Sequence, residues 1–140
     1  MEIMIKIIPI VLYFIVGVIS LVMGRKSLFS KGFIFFHEEA AGMSLGKLDQ
    51  RVQNVILALM KTTGLGFLVV GMLLLVFPVI GYFKSDIIVT FGIPIVCCIY
   101  CLGLFLANYQ LHKKSGVATP WKGSLIVMVI ILVGIILSII

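Results

Sequence analysis

Acidic residues are scarce in this 140-residue chain, which carries five Asp and Glu against eleven Lys and Arg, a net charge of +6 at pH 7. Charged residues make up only 11% of it, while 62% is hydrophobic and the mean hydropathy is +1.31. This composition excludes a soluble globular domain. It does not indicate a nucleic-acid-binding protein either, because the basic residues form no contiguous stripe and no known motif.

Cysteine and histidine are also few. The three cysteines, Cys97, Cys98 and Cys101, form an odd-numbered cluster inside an apolar run, which excludes a structural disulfide framework. The two histidines, His37 and His112, show none of the H-x-x-E, H-x-x-x-H or E-x-x-H spacings that are typical of metal sites. The sequence therefore predicts no metal and no cofactor. A metal site built from His and Glu is the less favoured alternative.

Long apolar runs account for most of the chain. Four of them have at least 18 residues each: Ile3–Met23, Val55–Phe83, Ile87–Ala107 and Gly123–Ile140. A helix rises about 1.5 Å per residue, so that ~20 apolar residues cross a hydrocarbon layer of ~30 Å. The predicted fold is all-α, a single-domain integral membrane bundle of four antiparallel transmembrane helices, with residues 24–54 connecting the first two spans.

The charged residues lie almost entirely on one side of these spans. One face carries Arg25, Lys26, Lys31, Lys47, Arg51, Lys61, Lys113, Lys114 and Lys122 against Glu38, Glu39 and Asp49, and is therefore strongly basic. The other face carries Glu2, Lys6, Lys84 and Asp86, whose charges cancel. Because cytoplasmic loops hold the Lys and Arg excess, we expect a multi-pass protein of the cytoplasmic membrane with both termini outside.

Several residues predict where the helices begin, bend and end. Asp49 is a predicted N-cap of the second membrane helix, and Pro78 and Gly81 are predicted to end that helix. Gly92-Ile93-Pro94 predicts a kink in the third. Thr119 is the predicted N-cap of the fourth, with a proline at its first helical position.

Small residues predict which helix faces pack closely. Ser20 and Gly24 form a small-xxx-small pair in the first span, and Gly64 and Gly71 share one face of the second. The Phe-rich stretch 27–36 is too short to span and is expected to lie at the headgroup level. The turn Lys84-Ser85-Asp86 is so short that the helices on either side of it are expected to be neighbours.

Uncommon polar and aromatic residues converge on the predicted cytoplasmic end. Lys61 is the most unusual, since it lies ~9 Å beyond the point where its helix enters lipid. Such a residue indicates either a functional pocket with an acidic partner or a side chain that extends to the headgroups. The predicted ligand-binding residues are His37, Glu38, Glu39, Asn54, Lys61, Asn108, Tyr109, His112 and Trp121.

Two stretches, 37–67 and 115–121, resemble a group of uncharacterised four-span bacterial integral membrane proteins. That group shows a His-x-x-Ala-x-Gly entry, matched by 37–42, a Leu-Met-basic run followed by two nearby glycines, matched by 59–66, and a Thr-Gly-Ala-x-Thr-Pro-Trp loop. The chain departs from it in having Ser115 at the loop threonine and no Trp after Gly42. The resemblance implies the four-span fold and a bacterial membrane, and no activity.

The sequence favours a non-enzymatic membrane protein that binds a partner or a small ligand through these residues, as a homo-oligomer or with another membrane protein in the lipid bilayer. A small transporter or channel is one alternative, although three of the spans carry few polar residues at mid-depth. A thiol oxidoreductase using Cys98 and Cys101 is another. Against it, the pair lies near mid-membrane, away from a helix N-terminus, and has no second cysteine pair.

Overall fold

The computed structural model describes the backbone of residues 2–32, 34–84 and 86–139, and the side chains of this part other than those of residues 2–6 and 35. Phe33 in the Phe-rich stretch, Ser85 in the short turn and Ile140 at the end of the fourth apolar run lie outside the described residues, as do the side chains of Glu2, Ile3, Lys6 and Phe35. Everything else named in the sequence analysis falls within the described part.

The described chain is all-α and contains no strand. Its helices are α1 (Glu2–Leu28), α2 (Phe35–Ala41), α3 (Gln50–Lys84), α4 (Ile93–Ser115) and α5 (Trp121–Leu137). A 3₁₀ turn at Leu45–Lys47 lies between α2 and α3, and a π-helical segment at Ile88–Gly92 leads directly into α4.

Three helical stretches are long and apolar enough to cross a membrane. They are Ile7–Leu28, Gln50–Lys84 and Ile88–Ser115, with 22, 35 and 28 residues. The fourth apolar helix, α5, has 17 residues, a length of ~26 Å. Large apolar side chains cover the outside of these helices, as bilayer contact requires. The chain is therefore a membrane protein.

The most extensive helix contact, between α1 and α3, is built on glycine. A Cβ placed on Gly64 would lie 2.8 Å from the backbone nitrogen of Leu28, and one placed on Gly71 would lie 3.0 Å from the carbonyl oxygen of Gly17. A Cβ on Gly24 would lie 2.9 Å from the carbonyl oxygen of Gly64. The prediction that Gly24, Gly64 and Gly71 let a second helix approach is confirmed.

The core lies where all four long helices meet. Val16, Leu74, Cys97 and Ile131, one from each of α1, α3, α4 and α5, are fully buried there. Helix α5 packs against both α1 and α4. The ring of Tyr13 covers the backbone of α5 so closely that a Cβ on Gly134 would come within 2.6 Å of it.

The prediction that Pro78 and Gly81 end the second membrane helix is wrong. Pro78 is buried inside α3, which continues to Lys84. In a membrane, a broken helix would leave several backbone groups without water to bind, so losing the single hydrogen bond at a proline costs less than ending the helix. Gly81 instead permits a close contact, since a Cβ there would lie 3.0 Å from Oγ1 of Thr90.

A π-helical segment, Ile88–Gly92, lies directly before Ile93-Pro94, where the sequence predicts a kink. A wider turn relieves the clash that a proline ring makes with the carbonyl one α-helical turn before it. Asp86 fixes the start of this segment, because its Oδ1 accepts a hydrogen bond of 2.9 Å from the backbone N–H of Ile88.

One of the two predicted N-caps is confirmed. Oδ1 of Asp49 accepts a hydrogen bond of 2.8 Å from the backbone N–H of Arg51 at the start of α3. The prediction for Thr119 is wrong, since α5 begins at Trp121 with no side-chain cap. The Thr119 hydroxyl donates instead to the carbonyl oxygen of Asn108 at 2.7 Å, because the loop buries this side chain against α4.

Candidate functional site

A cavity of about 760 Å³ opens between the pair α1–α3 and the pair α4–α5. Helix α3 and the π-helical segment that leads into α4 are in close contact where Gly81 meets Thr90. Towards the opposite end, where α1 and α4 finish and α3 and α5 begin, α3 and α4 separate. We call this space the inter-pair cavity, and it is lined by α1, α3, α4 and α5, with α2 across its mouth.

Tyr100 forms the floor of the inter-pair cavity. Its hydroxyl donates a hydrogen bond of 3.1 Å to the carbonyl oxygen of Thr63, which joins α4 to α3. Its ring meets Phe67 edge-on, with centroids 5.8 Å apart, and the hydroxyl fills the space beside Gly66 that a Cβ would otherwise occupy. The walls above it are mainly aliphatic, so the deep part of the cavity suits a hydrocarbon group.

Helix α2 covers the mouth with one of its two faces. Phe36, His37 and two alanines line the cavity, while Glu38 and Glu39 are exposed on the other face. Gly42, at φ 65°, ends the helix in the left-handed conformation that glycine adopts most easily. Burial lowers the pKa of His37 below its ordinary value of 6.5, because removal from water disfavours the charged imidazolium.

The lysine, histidine and asparagine of the cavity lie near the mouth, while Ser20, Thr63 and Tyr100 line its deeper part. Lys26 comes from the last turn of α1, Ser124 from the first turn of α5 and Asn108 from α4. Asn108 donates its amide to the carbonyl oxygen of Leu104 at 2.9 Å, which leaves its side-chain oxygen as an acceptor. No acidic side chain lines the cavity in the part of the chain that the structure describes.

The structure places only two of the nine predicted site residues in this cavity, His37 and Asn108. Lys61 is exposed on α3 and makes no ion pair with Glu38 or Glu39, both of which are described and exposed. Asn54 is exposed as well, and its side-chain oxygen accepts a hydrogen bond from the Gln50 amide at 3.3 Å.

The other three predicted site residues form an aromatic cluster beside the cavity. Tyr109, His112 and Trp121 pack with Phe105, and the centroid of Trp121 lies 5.6 to 6.2 Å from the other three rings. Nδ1 of His112 lies 2.7 Å from the carbonyl oxygen of Val117. This cluster fixes the loop between α4 and α5, so its role in the structure is to join these two helices.

Three features of the cavity were missed in the sequence. The sequence places Lys26 only among the residues of the basic face, and its pattern does not single out Tyr100. Gly123 and Ser124 were not singled out, although two small residues in the first turn of a membrane helix indicate open space beside it. A Cβ on Gly123 would meet no atom within 4 Å.

The three cysteines all lie on α4. All three are free, and only Cys101 lines the inter-pair cavity. Among the described residues there is no group of three His, Cys, Asp or Glu side chains placed to hold a metal ion. No protein-family model, curated protein or solved structure matches the chain.

Proposed function

We propose that this protein is a non-enzymatic integral membrane protein that binds a small hydrophobic ligand in the inter-pair cavity. The observation that supports this most directly is the cavity itself. Its volume of about 760 Å³ lies inside the range of ~300–1,000 Å³ found for small-molecule sites. Like those sites, it is lined mainly by apolar side chains and has a few polar groups.

In this proposal the four long helices are four antiparallel spans of the cytoplasmic membrane. The contacts of Gly17 with Gly71 and of Gly24 with Gly64 support opposite directions for α1 and α3. The excess of Lys and Arg beside the cavity mouth supports a cytoplasmic mouth, with both termini outside. We further propose that the outer apolar faces contact lipid and a second membrane protein or a second copy of this chain.

Photolabelling in bilayers tests ligand binding. We propose 1-hexadecanol with a terminal diazirine as the probe and peptide mapping by mass spectrometry as the readout. Met60 and Leu104 line the cavity, whereas Val69 and Val96 are exposed on the outside. We expect labels at both pairs of residues in the wild type. Probe dissolved in the surrounding lipid reaches Val69 and Val96, and probe bound in the cavity reaches Met60 and Leu104.

A filling variant supplies the control. Gly123→Leu places a side chain beside the open space in the cavity, so it should remove the labels at Met60 and Leu104 and leave those at Val69 and Val96. Gly103 has equally open surroundings but does not line the cavity, so Gly103→Leu should change neither set. Inner labels that are absent from the wild type, or that persist in Gly123→Leu, would refute the proposal.

A further inference from the structure

We infer that the ligand is a single-chain amphiphile with an anionic headgroup, whose tail lies between the helix pairs and whose head lies at Lys26 and the first turn of α5. This inference rests on the proposed function and adds the chemical class of the ligand. Three observations carry it: the volume and length of the cavity, the sign of its charge, and the helix end at its mouth.

The dimensions fit one hydrocarbon chain. Along α3 the lining runs from Ile56 to Val70, which corresponds to ~21 Å at 1.5 Å per residue. An apolar cavity of ~150 Å³ holds one benzene molecule. That corresponds to ~25 Å³ per heavy atom. A cavity of 760 Å³ therefore has room for about 30 heavy atoms. Palmitate fits within this limit, and a two-chain phospholipid does not.

The charge at the mouth favours an anion. Lys26 is the one Lys, Arg, Asp or Glu side chain among the described residues that line the cavity. Helix α2, which covers the mouth, carries two acidic residues, Glu38 and Glu39. Both are exposed on its outer face. An ammonium group at the edge of an apolar cavity, with no carboxylate beside it, attracts a carboxylate or a phosphate.

The start of α5 adds a second favourable group at the same end. Pro120, Gly123 and Ser124 line the cavity there, and α5 has no side-chain cap. The first N–H groups of a helix have no partner within it, and its N-terminus carries a partial positive charge. An anionic headgroup placed beside Lys26 is therefore stabilised by both the ammonium and the helix end.

Competition against the photoprobe tests the class of ligand. We propose palmitate and 1-hexadecanol as competitors at alkaline pH, since they have the same chain length and differ in charge, with the label at Leu104 as the readout. Palmitate should displace the probe at roughly a three- to tenfold lower concentration than hexadecanol, the effect expected for a charged hydrogen bond that is partly exposed to water. Palmitoyl lysophosphatidate, used in parallel, identifies whether a carboxylate or a phosphate is preferred.

Two variants locate the headgroup. Lys26→Gln should weaken palmitate competition more than hexadecanol competition, and so remove most of the preference for the anion, leaving only the part that the start of α5 supplies. Arg25→Gln is the matched control, because Arg25 is an adjacent, exposed cation that does not line the cavity, and it should keep the preference. Equal competition by palmitate and hexadecanol in the wild type, or an intact preference in Lys26→Gln, overturns the inference. In either of those cases the loss of the Leu104 label in Gly123→Leu still supports the proposed function.

Discussion

At the scale of single residues, the helix pair α1–α3 is held by small groups rather than by large side chains. The hydroxyl of Ser27 is buried and donates to the carbonyl oxygen of Met60 at 2.8 Å, next to the contact between Gly64 and Leu28. Membrane helices gain little from hydrophobic burial against each other, so close backbone contact and hydrogen bonds of this kind supply most of their attraction.

Gly64→Ala tests this contact. The added Cβ would lie 2.8 Å from a backbone nitrogen of α1, which no side-chain rotation relieves, so the helices must separate. We expect a loss of about 1–3 kcal/mol in the free energy of unfolding, measured by SDS titration in mixed micelles. Gly103→Ala is the control, because its Cβ meets no atom within 4 Å and the change favours helix by about 0.5–1 kcal/mol. Equal effects of the two changes would contradict this account.

The glycines were predictable because spacing on one helix face is a property of the sequence alone. The cavity was not, because it depends on the distance between helices that are remote in the sequence. Lys61 illustrates the difference: its depth along α3 follows from counting residues, but the direction of its side chain depends on how α3 packs. The structure turns it outward, and Lys26 of α1 lines the cavity instead.

At the scale of elements, α2 is the least embedded helix. It has seven residues, no side-chain cap at its start and a single face against the cavity mouth. Such an element opens at a lower free energy than the long helices around it. In the proposed function, a ligand that enters from the headgroup side would pass α2, because this helix lies across the cavity mouth.

The docking of α2 should weaken on acidification. Burial lowers the pKa of His37, so the docked state binds fewer protons than the undocked state below pH ~6.5. The stabilisation is complete above that pH and is lost progressively as the pH falls. Hydrogen exchange of the α2 amides, corrected for the intrinsic rate, should therefore speed up between pH 7.5 and 5.5.

His37→Gln is the variant that checks the cause, since it should make α2 exchange independent of pH over this interval. His112→Gln removes the other histidine, which lies in the aromatic cluster beside α5, and should retain the dependence. A pH dependence that persists in His37→Gln would assign the effect to another group.

The elements differ in how far the sequence predicts them. Asp49 caps α3 as predicted, because its partner, the N–H of Arg51, is only two residues away. Thr119 matches the N-cap pattern equally well, but its hydroxyl donates to the carbonyl oxygen of Asn108, eleven residues earlier on α4. This tertiary hydrogen bond forms in place of a helix cap. Pro78 shows the same effect. The local sequence predicts that the helix ends there, but the surrounding membrane and helices keep α3 continuous.

At the scale of the whole molecule, the two ends of the bundle differ. One end is closed by the contact between Gly81 and Thr90, and the other holds the inter-pair cavity, α2 and most of the basic residues. The proposed orientation places the open end in the cytoplasm.

Cysteine labelling checks this orientation. Cys97, Cys98 and Cys101 are first replaced by Ala, and single cysteines are then placed at the exposed positions Lys31, Lys84 and Lys114. With a membrane-impermeant maleimide, we expect Lys84→Cys to react in intact cells, and Lys31→Cys and Lys114→Cys to react only in inverted vesicles. The opposite pattern would reverse the topology and leave the cavity unchanged.

The π-helical segment has a consequence for how chains of this kind diverge. Its turns hold one more residue than α-helical turns, so Ile88–Gly92 is equivalent to a one-residue insertion. Relative to an uninterrupted α-helix of the same residues, every later side chain of α4 is thereby rotated by about 100°. Deleting one residue of the segment would convert it to α-helical turns and leave Cys97 and Cys101 in their buried positions. Two chains that differ only by that deletion would therefore keep the same core, although every later residue number differs by one.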